Sequence, residues 1–569
     1  MKNKKIYLSL VIIACAIMGW SFKGKFMAEG IAVGDVVQSQ EAPTEWNSVI
    51  ANNINDNKIQ LIVDANTVSF YNEQMFMDDD MNLMIPASVF TEAFKCSFNC
   101  YDNSSVLIKK GTTELTVQLG QDYIHVGDSQ IQVPSAMVIK DDKVYLQAKV
   151  LEVGLGYTYK WDIVSNTLYL TDSKKGDNIL PSKFSYRDIK KIPKIQNQGN
   201  LSTCWAFAAL IALESRLMPE QNLSFSVDNM SSNNGYVGTQ SDGGDYTRAI
   251  AYLASWKGPV LESDDPYGDG IHPNDLKAVK HVQDAQIIDS KNFESIKKAV
   301  FMYGGVESSL YSSMAGSNES SVYYNKSSNS YCYIGTQKPN HDVVIVGWDD
   351  NYSKSNFNGN LEGDGAFLCM NSWGANFGDA GLFYVSYYDS NIGMHNVVYT
   401  GVEDVTNYDN IYQSDLCGWV GQMGYENDTA YFSNVYTANS EETLKAVSFY
   451  ATAKGTEYEI YFVDNYQDTS SFDDKIFVKK GSFTNAGYYT VDLDKSYDLH
   501  KGNQYAVVIK IKTPDSIHPI AVEYRAGATT AAVDLSDGCG YISLSGKSWE
   551  HVEESKNCNI CLKMFTINR

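Results

Sequence analysis

A single cysteine, Cys204, lies where a polar loop meets an apolar helical run, and its thiol is the first candidate for chemistry. The segment from Ile195 to Leu217 reads IQNQGNLSTCWAFAALIALESRL. A sulfur in the first turn of a helix feels the positive end of the helix dipole, which lowers the ordinary thiol pKa of roughly 8.5. A free cysteine also packs well as a small hydrophobic residue. The position alone therefore leaves two interpretations, a nucleophile or a core residue.

Several other polar residues could serve a nucleophilic thiol. Attack on a peptide carbonyl requires a proton carrier, a group that orients this carrier, and donors for the oxyanion. Two histidines precede apolar strands and are candidate carriers, His341 in PNHDVVIVGWDD and His395 in GMHNVVYTG. Asn371, in FLCMNSWGANFGDAGLFYVSY, could orient a histidine or cap a turn. Gln198 could donate to an oxyanion or simply lie in a turn.

These segments resemble the motifs of papain-family (C1) cysteine peptidases. NQGNLSTCWAFA resembles the nucleophile segment Q-G-x-C-G-S-C-W-A-F, and the segment around Asn371 resembles N-S-W-G-x-x-W-G-x-x-G-Y. The family places a histidine about 130–150 residues after the cysteine, and His341 follows Cys204 by 137 residues. His395 comes after Asn371, which breaks the family order, so we expect His395 to be structural.

The resemblance assigns catalytic roles to four residues. It implies that Cys204 is the nucleophile, that His341 carries the proton and that Asn371 orients the histidine. Gln198 would line the oxyanion hole together with the backbone N–H of Cys204. The implied activity is endopeptidase hydrolysis of peptide bonds through a thioester acyl-enzyme, with no cofactor and no metal.

Three further positions are implied to belong to the substrate-binding region. Trp373 would shield the hydrogen bond between histidine and asparagine from water. The stretch SDGGDYTRAIAYLASWKGPVLESDDPYG resembles the glycine-rich substrate segment of the family. Gly243 and Gly244 would then offer their backbone to an extended substrate strand, where a side chain would obstruct close approach.

The sequence departs from the family pattern at four places. Leu201 stands where the family usually has a disulfide half-cysteine, Ser202 replaces the glycine after it, and Phe377 replaces a tryptophan. The gap of 30 residues between His341 and Asn371 exceeds the usual gap, and NYSKSNFNGNLEGDG is interpreted as an inserted hairpin tip. None of these departures removes a reacting group.

The N-terminal third contains an export signal and an internal repeat. MKNKKIYLSLVIIACAIMGW combines a positive n-region with an apolar h-region, which predicts a signal peptide or an uncleaved signal anchor over residues 1–28. LMIPASVFTEAF followed by CYDNSSVLIKK is echoed by KVYLQAKVLEVGLG followed by KWDIVSNTLYL. Each copy predicts a strand, a short helix, an aromatic-Asp turn and a closing strand. This region, residues 45–172, resembles the copper amine oxidase N-terminal-like domain, and we interpret it as a spacer or attachment module.

The remaining boundaries follow from changes in pattern. Residues 173–183 are polar with Gly and Pro and predict a linker, and residues 184–402 mix helices and strands. Residues 408–569 contain short strand-like runs separated by turn residues, which indicates an antiparallel β-sandwich, and they resemble a lectin-like domain. The expected fold class is α+β, with a papain-like two-lobed domain, a helical lobe plus a β-barrel-like lobe, between the repeat module and the sandwich.

The charge of the chain limits its partners. A formal net charge of -23 argues against nucleic acid, because phosphate binding requires a basic face. The expected partner is a protein or peptide substrate, and the accessory modules suggest contact with cell wall or glycan. We expect an exported cysteine endopeptidase, secreted or at the cell surface. The alternative is a surface binding or adhesion protein that uses the peptidase fold as a scaffold.

Overall fold

A computed structural model describes residues 60–172 and 180–569, apart from 64–65, 69–74, 79–81, 93, 95, 102–103, 112, 128, 134, 141–142, 163–166, 220, 274, 315 and 318. The predicted signal segment 1–28 and most of the predicted linker lie outside these residues. The described chain forms two compact units, one up to Lys191 together with Pro219–Gln221, and one that comprises Ile192–Met218 and Asn222–Arg569. Among the described residues, no helix is both long enough and apolar enough to span a membrane.

The N-terminal unit repeats one pattern, as the sequence predicted. In the first copy the helix Ala87–Glu92 follows a strand, and in the second copy the helix Lys149–Leu155 follows a strand. The strands that precede the two helices pair antiparallel, with Leu146 opposite Ile85. The strands of this unit are Gln60–Val63, Asn66–Val68, Phe76–Met77, Leu83–Pro86, Ser97–Tyr101, Ser105–Lys110, Thr113–Gln118, Tyr123–Val126, Ser129–Gln132, Met137–Lys140, Lys143–Gln147, Tyr157–Asp162, Thr167–Asp172 and Lys183–Ser185.

The helical lobe of the second unit is built around Cys204–Leu217, called here the Cys204 helix. Its alanines and leucines are strong helix formers, and the segment contains neither Gly nor Pro. Every residue from Trp205 to Ser215 is buried, so this helix is surrounded by protein on all sides. The other helices of this part of the chain are Val227–Ser232, Tyr246–Ala254 and Phe293–Met302.

The second lobe is a sheet of mainly antiparallel strands. The strand His341–Asp349, called here the His341 strand, lies between Val306–Leu310 and Ala366–Met370. Its residues Val343 to Trp348 are all buried, which agrees with an apolar run covered on both faces. The remaining strands of this lobe are Lys280–Ile288, Tyr324–Asn325, Ser330–Tyr331, Leu382–Ser386 and Asn396–Asp404.

The C-terminal part is the β-sandwich that the sequence predicted. Buried residues from facing sheets form one core, in which the rings of Phe432 and Phe449 lie 6.1 Å apart. One layer runs in the order Ile476–Phe483, Thr456–Val463, Gln504–Lys512, Thr429–Thr437, Gly540–Ser543 and Glu550–His551. Facing strands are Ala486–Leu499, Glu442–Ala451, Leu562–Asn568, Asn410–Tyr412, Gly421–Met423, Ile520–Tyr524 and Cys558–Ile560, and Val552–Ser555 is a short helix.

The two domains of the second unit share one continuous sheet, which the sequence did not predict. Lys280–Ile288 pairs on one side with Asn396–Asp404 and on the other side with Ala486–Leu499. Gly487 lies at the junction with a φ of +149°, and a Cβ there would stand 2.2 Å from the Ala285 carbonyl oxygen. The close approach of the two domains therefore requires glycine at this position. The predicted α+β class, with a two-lobed domain between an α+β module and a sandwich, is confirmed.

Candidate active site

Cys204 is the first residue of its helix, as the sequence predicted, and it is partly exposed. Thr203 precedes the helix, but its hydroxyl does not cap the helix. Three backbone N–H groups, those of Asp342, Trp205 and Cys204 itself, interact with the sulfur and favour its thiolate form. A thiol at this position is therefore surrounded by donors suited to a negative charge.

Burial of the sulfur acts against these backbone N–H groups, because it favours the neutral thiol over the charged thiolate. Desolvation, with a smaller contribution from the Asp342 carboxylate, raises the pKa of the Cys204 thiol to about 12. The backbone N–H groups act in the opposite direction. A positively charged neighbour is therefore required if the thiolate is to be populated near neutral pH.

His341 is the candidate for this neighbour. It opens the His341 strand and is 7% exposed. Burial lowers the pKa of its imidazole to about 4, whereas the hydrogen bond to Asn371 acts to raise it. The backbone N–H of Asp342, the next residue along the strand, acts to lower the pKa of the Cys204 thiol, which indicates that the sulfur lies near the start of this strand.

Asn371 lies within hydrogen-bond distance of His341. His341 Nε2 and Asn371 Oδ1 are 2.8 Å apart, and the Ser372 backbone N–H also donates to this oxygen at 2.8 Å. A carboxamide oxygen only accepts, so Nε2 carries a proton and Nδ1 is the nitrogen left for proton exchange. The contact arises because Ala366–Met370 pairs antiparallel with the His341 strand, Met370 opposite Val344, and Asn371 follows directly.

Gln198 is 7% exposed and its carboxamide is fixed at both ends. Its Oε1 accepts from the Ser372 hydroxyl at 2.6 Å, and its Nε2 donates to the Leu201 carbonyl at 2.8 Å. One Nε2 hydrogen remains beyond that bond. Ser372 follows Asn371, so the loop that orients the histidine also positions this glutamine.

Trp373 covers the imidazole. Its ring stacks on that of His341, with the ring centres 4.7 Å apart and the planes 26° apart. Trp373 is itself 4% exposed, and Phe377 packs against it edge-on at 4.9 Å. Phe377 stands where the family has a tryptophan, and an aromatic ring is retained at this position.

The two glycines differ in their surroundings. A Cβ on Gly244 would lie 2.4 Å from the indole of Trp205, which directly follows Cys204, so no side chain fits there. Gly243 has a φ of +76°, a left-handed conformation that favours glycine, and its carbonyl accepts from Arg248 at 2.9 Å. Gly244 is therefore the position of the two at which the packing leaves no space for a side chain.

His395, the other candidate histidine, lies beside Tyr246. Its ring centre is 6.2 Å from that of Tyr246, and burial lowers the pKa of its imidazole, while Asp245 acts to raise it. Cys369, the rival sulfur, lies inside a strand and is fully buried, as expected of a core residue.

Sequence reasoning missed two groups near Cys204. Asp342 is one, although it directly follows His341; burial raises the pKa of its carboxyl to about 6. Tyr267 is the other: its hydroxyl donates to the Gln198 carbonyl at 2.8 Å and lies 2.7 Å from the Thr203 hydroxyl. The acidic residue after the histidine was visible in the sequence, but the contact from position 267 depends on the tertiary fold.

This arrangement can perform nucleophilic acyl transfer. It contains a sulfur at a helix start, an imidazole held by a carboxamide, and a second carboxamide beside the cysteine loop. Such a set can form a thioester with a carbonyl substrate and release it to water.

Family models match three segments of the chain. Residues 180–402 match the model of Papain family cysteine protease, residues 411–566 match Lectin like domain, and residues 62–170 match Copper amine oxidase N-terminal domain. The three segments follow one another in the order that the sequence resemblance indicated.

Curated relatives match less than half of the chain. Cathepsin S of Bos taurus is 30% identical over 237 residues, which are 40% of this chain and 65% of the relative. Cathepsin S of Mus musculus is 28% identical over 220 residues, 37% of this chain and 60% of the relative. The chain therefore spans less than two thirds of the length of these relatives.

Solved structures cover two domains together. A structure of the protease and lectin-like domains of Cwp84, named as a surface layer associated protein of Clostridium difficile, has a TM-score of 0.60 and 26% identity. The match covers 68% of this chain and 89% of the chain in that structure. A second structure, of the clostridial cysteine protease Cwp84 after propeptide cleavage, has a TM-score of 0.59 and 28% identity, covering 68% of this chain and all of its own. This chain thus contains a papain-family cysteine protease domain, preceded by a copper amine oxidase N-terminal-type domain and followed by a lectin-like domain.

Proposed function

We propose that the chain is an exported cysteine endopeptidase in which Cys204, His341, Asn371 and Gln198 perform the reaction. The observation that carries the proposal is the hydrogen bond from His341 Nε2 to Asn371 Oδ1, beside a cysteine that opens a buried helix. The papain-family match over residues 180–402 supports the same reaction class.

The proposed reaction has two steps. The Cys204 sulfur attacks the peptide carbonyl, the His341 imidazole takes the thiol proton, and the same proton passes to the departing amine. A thioester joins the acyl group to the enzyme. Water then attacks the thioester with His341 as general base. This step releases the carboxylic acid product and regenerates the free thiol.

The backbone N–H of Cys204 and the Gln198 carboxamide would stabilise the oxyanion in both steps. A preorganised donor of this kind contributes about 2.7–4 kcal/mol to transition-state stabilisation in a well-studied serine peptidase. Gly243, Gly244 and Trp373 would border the substrate, and the two glycines would offer their backbone to an extended peptide.

Two observations support export and a surface location. The sequence begins with a basic stretch followed by an apolar run, the pattern of a signal peptide or signal anchor. The Cwp84 structure, which shares the two described domains of the second unit, is named as surface-layer associated. The lectin-like match over residues 411–566 supports contact with cell wall or glycan.

The experiment that tests the proposal measures cleavage of a library of internally quenched peptides by the full chain and by Cys204→Ala. Cleavage inside blocked peptides by the wild type, with background rates for the variant, is the expected result. Equal rates for both proteins would overturn the assignment of Cys204. Tight binding to cell-wall material without any turnover would favour the alternative, a surface binding protein on a peptidase scaffold.

A further inference from the structure

Three side chains with metal-binding chemistry, none of them among the residues proposed to react, converge in the helical lobe. Asp228 in the helix Val227–Ser232 is fully buried, Asp265 is 1% exposed and His272 is exposed. One donor atom of each lies within 4.8 Å of the other two. The family resemblance implied no metal, and these three positions were not considered from the sequence: 44 residues separate the first from the last, and no ligand motif joins them.

One carboxylate oxygen of Asp265 is buried without a hydrogen-bond partner among the described residues, which independently indicates a ligand at this place. Its Oδ2 accepts from Asn229 Nδ2 at 3.0 Å. Its Oδ1 is buried, and no hydrogen-bond donor reaches it from the described part of the chain. A buried carboxylate oxygen without a partner costs folding free energy, which a bound cation would remove.

Asp228 is held as an acceptor on both of its oxygens. Gln240 Nε2 donates to Oδ1 at 2.6 Å, and the Gly268 backbone N–H donates to Oδ2 at 2.8 Å. Among the residues that the structure describes, neither Asp228 nor Asp265 forms a salt bridge with lysine or arginine. Two neighbouring buried carboxyls therefore lack a compensating positive charge.

We propose that Asp228, Asp265 and His272 bind one divalent first-row transition cation, with Zn²⁺ as the preferred ion. Two carboxylates and one imidazole suit such a cation better than Ca²⁺ or Mg²⁺, which prefer oxygen ligands alone. Ligand atoms at ~2.0–2.2 Å from zinc lie no more than about 4.4 Å apart. Rotation of the exposed His272 side chain can shorten its separation from both carboxylates, and its exposure leaves an entry path and a position for water.

Two hydrogen-bonded connections lead from this cation site to the Cys204 loop. Gln240, which donates to Asp228, accepts at its carbonyl from the Ser202 backbone N–H at 3.1 Å. Gly268, which also donates to Asp228, follows Tyr267, whose hydroxyl donates to the Gln198 carbonyl at 2.8 Å. A cation on Asp228 would hold both connections in place.

The binding test uses the full chain with Cys204→Ala, so that the reactive thiol cannot bind zinc. Zn²⁺ is titrated by calorimetry into this protein and into versions that also carry Asp265→Asn, His272→Ala or Asp264→Asn. Asp265→Asn retains an oxygen at the position, and His272 is exposed, so both variants are expected to fold. Asp264 is the exposed neighbour of Asp265, and Asp264→Asn therefore removes the same charge from the same loop.

One Zn²⁺ per chain is expected, with affinity at least tenfold weaker in Asp265→Asn and in His272→Ala and unchanged in Asp264→Asn. No binding, or equal affinity in all four proteins, would overturn the site. Tighter binding of Ca²⁺ than of Zn²⁺, unaffected by His272→Ala, would also overturn it.

Hydrogen exchange in the same catalytically inactive protein tests the connection to the loop, independently of peptidase activity. Zn²⁺ should slow exchange of the Ser202 and Gly268 amides several-fold, and His272→Ala should abolish this protection. Zinc binding with unchanged exchange at both amides would show that the cation site exists but does not stabilise the Cys204 loop.

Discussion

His341 Nε2 and Asn371 Oδ1 lie 2.8 Å apart, at the ends of two neighbouring antiparallel strands. The strands fix the backbones, and the stacked Trp373 ring fixes the plane of the imidazole. The asparagine therefore selects one tautomer, with a proton on Nε2 and Nδ1 left to exchange a proton with the thiol.

Replacing Asn371 with alanine should lower kcat about 10²-fold with little change in KM, because the imidazole loses its orientation while the substrate-binding surface is retained. Steady-state hydrolysis of a fluorogenic peptide measures both constants. Asn376→Ala, an exposed asparagine in the same loop, serves as the control and should behave as wild type. An unchanged kcat in Asn371→Ala would show that the histidine is oriented by another group.

The rate of iodoacetamide alkylation at Cys204, measured against pH, separates the two histidines. Wild type should react below neutral pH, because transfer of the thiol proton to His341 forms a thiolate–imidazolium pair, and the attraction within this pair offsets the burial that otherwise favours both neutral forms. His341→Ala should react only at or above the pH of an ordinary thiol, because burial and Asp342 then act without opposition from a cation. His395→Ala should match wild type. Loss of low-pH reactivity in His395→Ala alone would reverse the two roles.

Asp342→Asn should shift the alkylation profile of Cys204 to lower pH. The Asp342 carboxylate raises the pKa of the thiol, and the variant removes this charge while keeping the backbone N–H, which acts to lower that pKa. Asp349→Asn, at the opposite end of the same strand, is the matched control and should leave the profile unchanged. A shift to higher pH would mean that Asp342 acts mainly by stabilising the imidazolium.

The sequence predicted the residues with the strongest chemical signature and their order along the chain. Cys204 and Asn371 were singled out because their segments resemble two papain-family motifs, and Cys204 also lies at the start of an apolar helical run. Asp228 and Asp265 escaped, because their proximity depends on how loops fold over the helical lobe. The pairing of Ala285 with Tyr488 also escaped, because the register between strands about 200 residues apart has no local signal.

Gly244→Ala should destabilise the protein by about 1–3 kcal/mol, because the added methyl group overlaps the buried Trp205 ring. It should also raise KM, since Trp205 and the backbone beside Cys204 must shift. Chemical unfolding and peptide kinetics measure the two effects. Gly243→Ala is the comparison: its Cβ meets no close neighbour, and the cost comes from its left-handed φ alone. Equal shifts in tryptophan fluorescence for both variants would contradict the overlap.

Glu214 lies inside the Cys204 helix and is only 2% exposed, although its side chain is a carboxylic acid. Its Oε1 accepts from the Phe225 backbone N–H at 2.8 Å. Its Oε2 is buried and has no hydrogen-bond partner among the described residues. Burial raises the pKa of this carboxyl to about 8, so the folded protein keeps a proton that the unfolded chain has already released.

The free energy of unfolding should therefore fall as pH rises from about 4.5 to 8, by about 1.4 kcal/mol per pH unit from this group, and level off above pH 8. Glu214→Gln should remove this slope, because the amide keeps an oxygen for Phe225 and cannot ionise. Unfolding temperatures of both proteins between pH 5 and 9 measure the effect. Glu362→Gln, at an exposed position, should retain the wild-type slope. Parallel profiles for wild type and Glu214→Gln would mean that Glu214 is ionised in the folded protein, with a cation nearby to balance its charge.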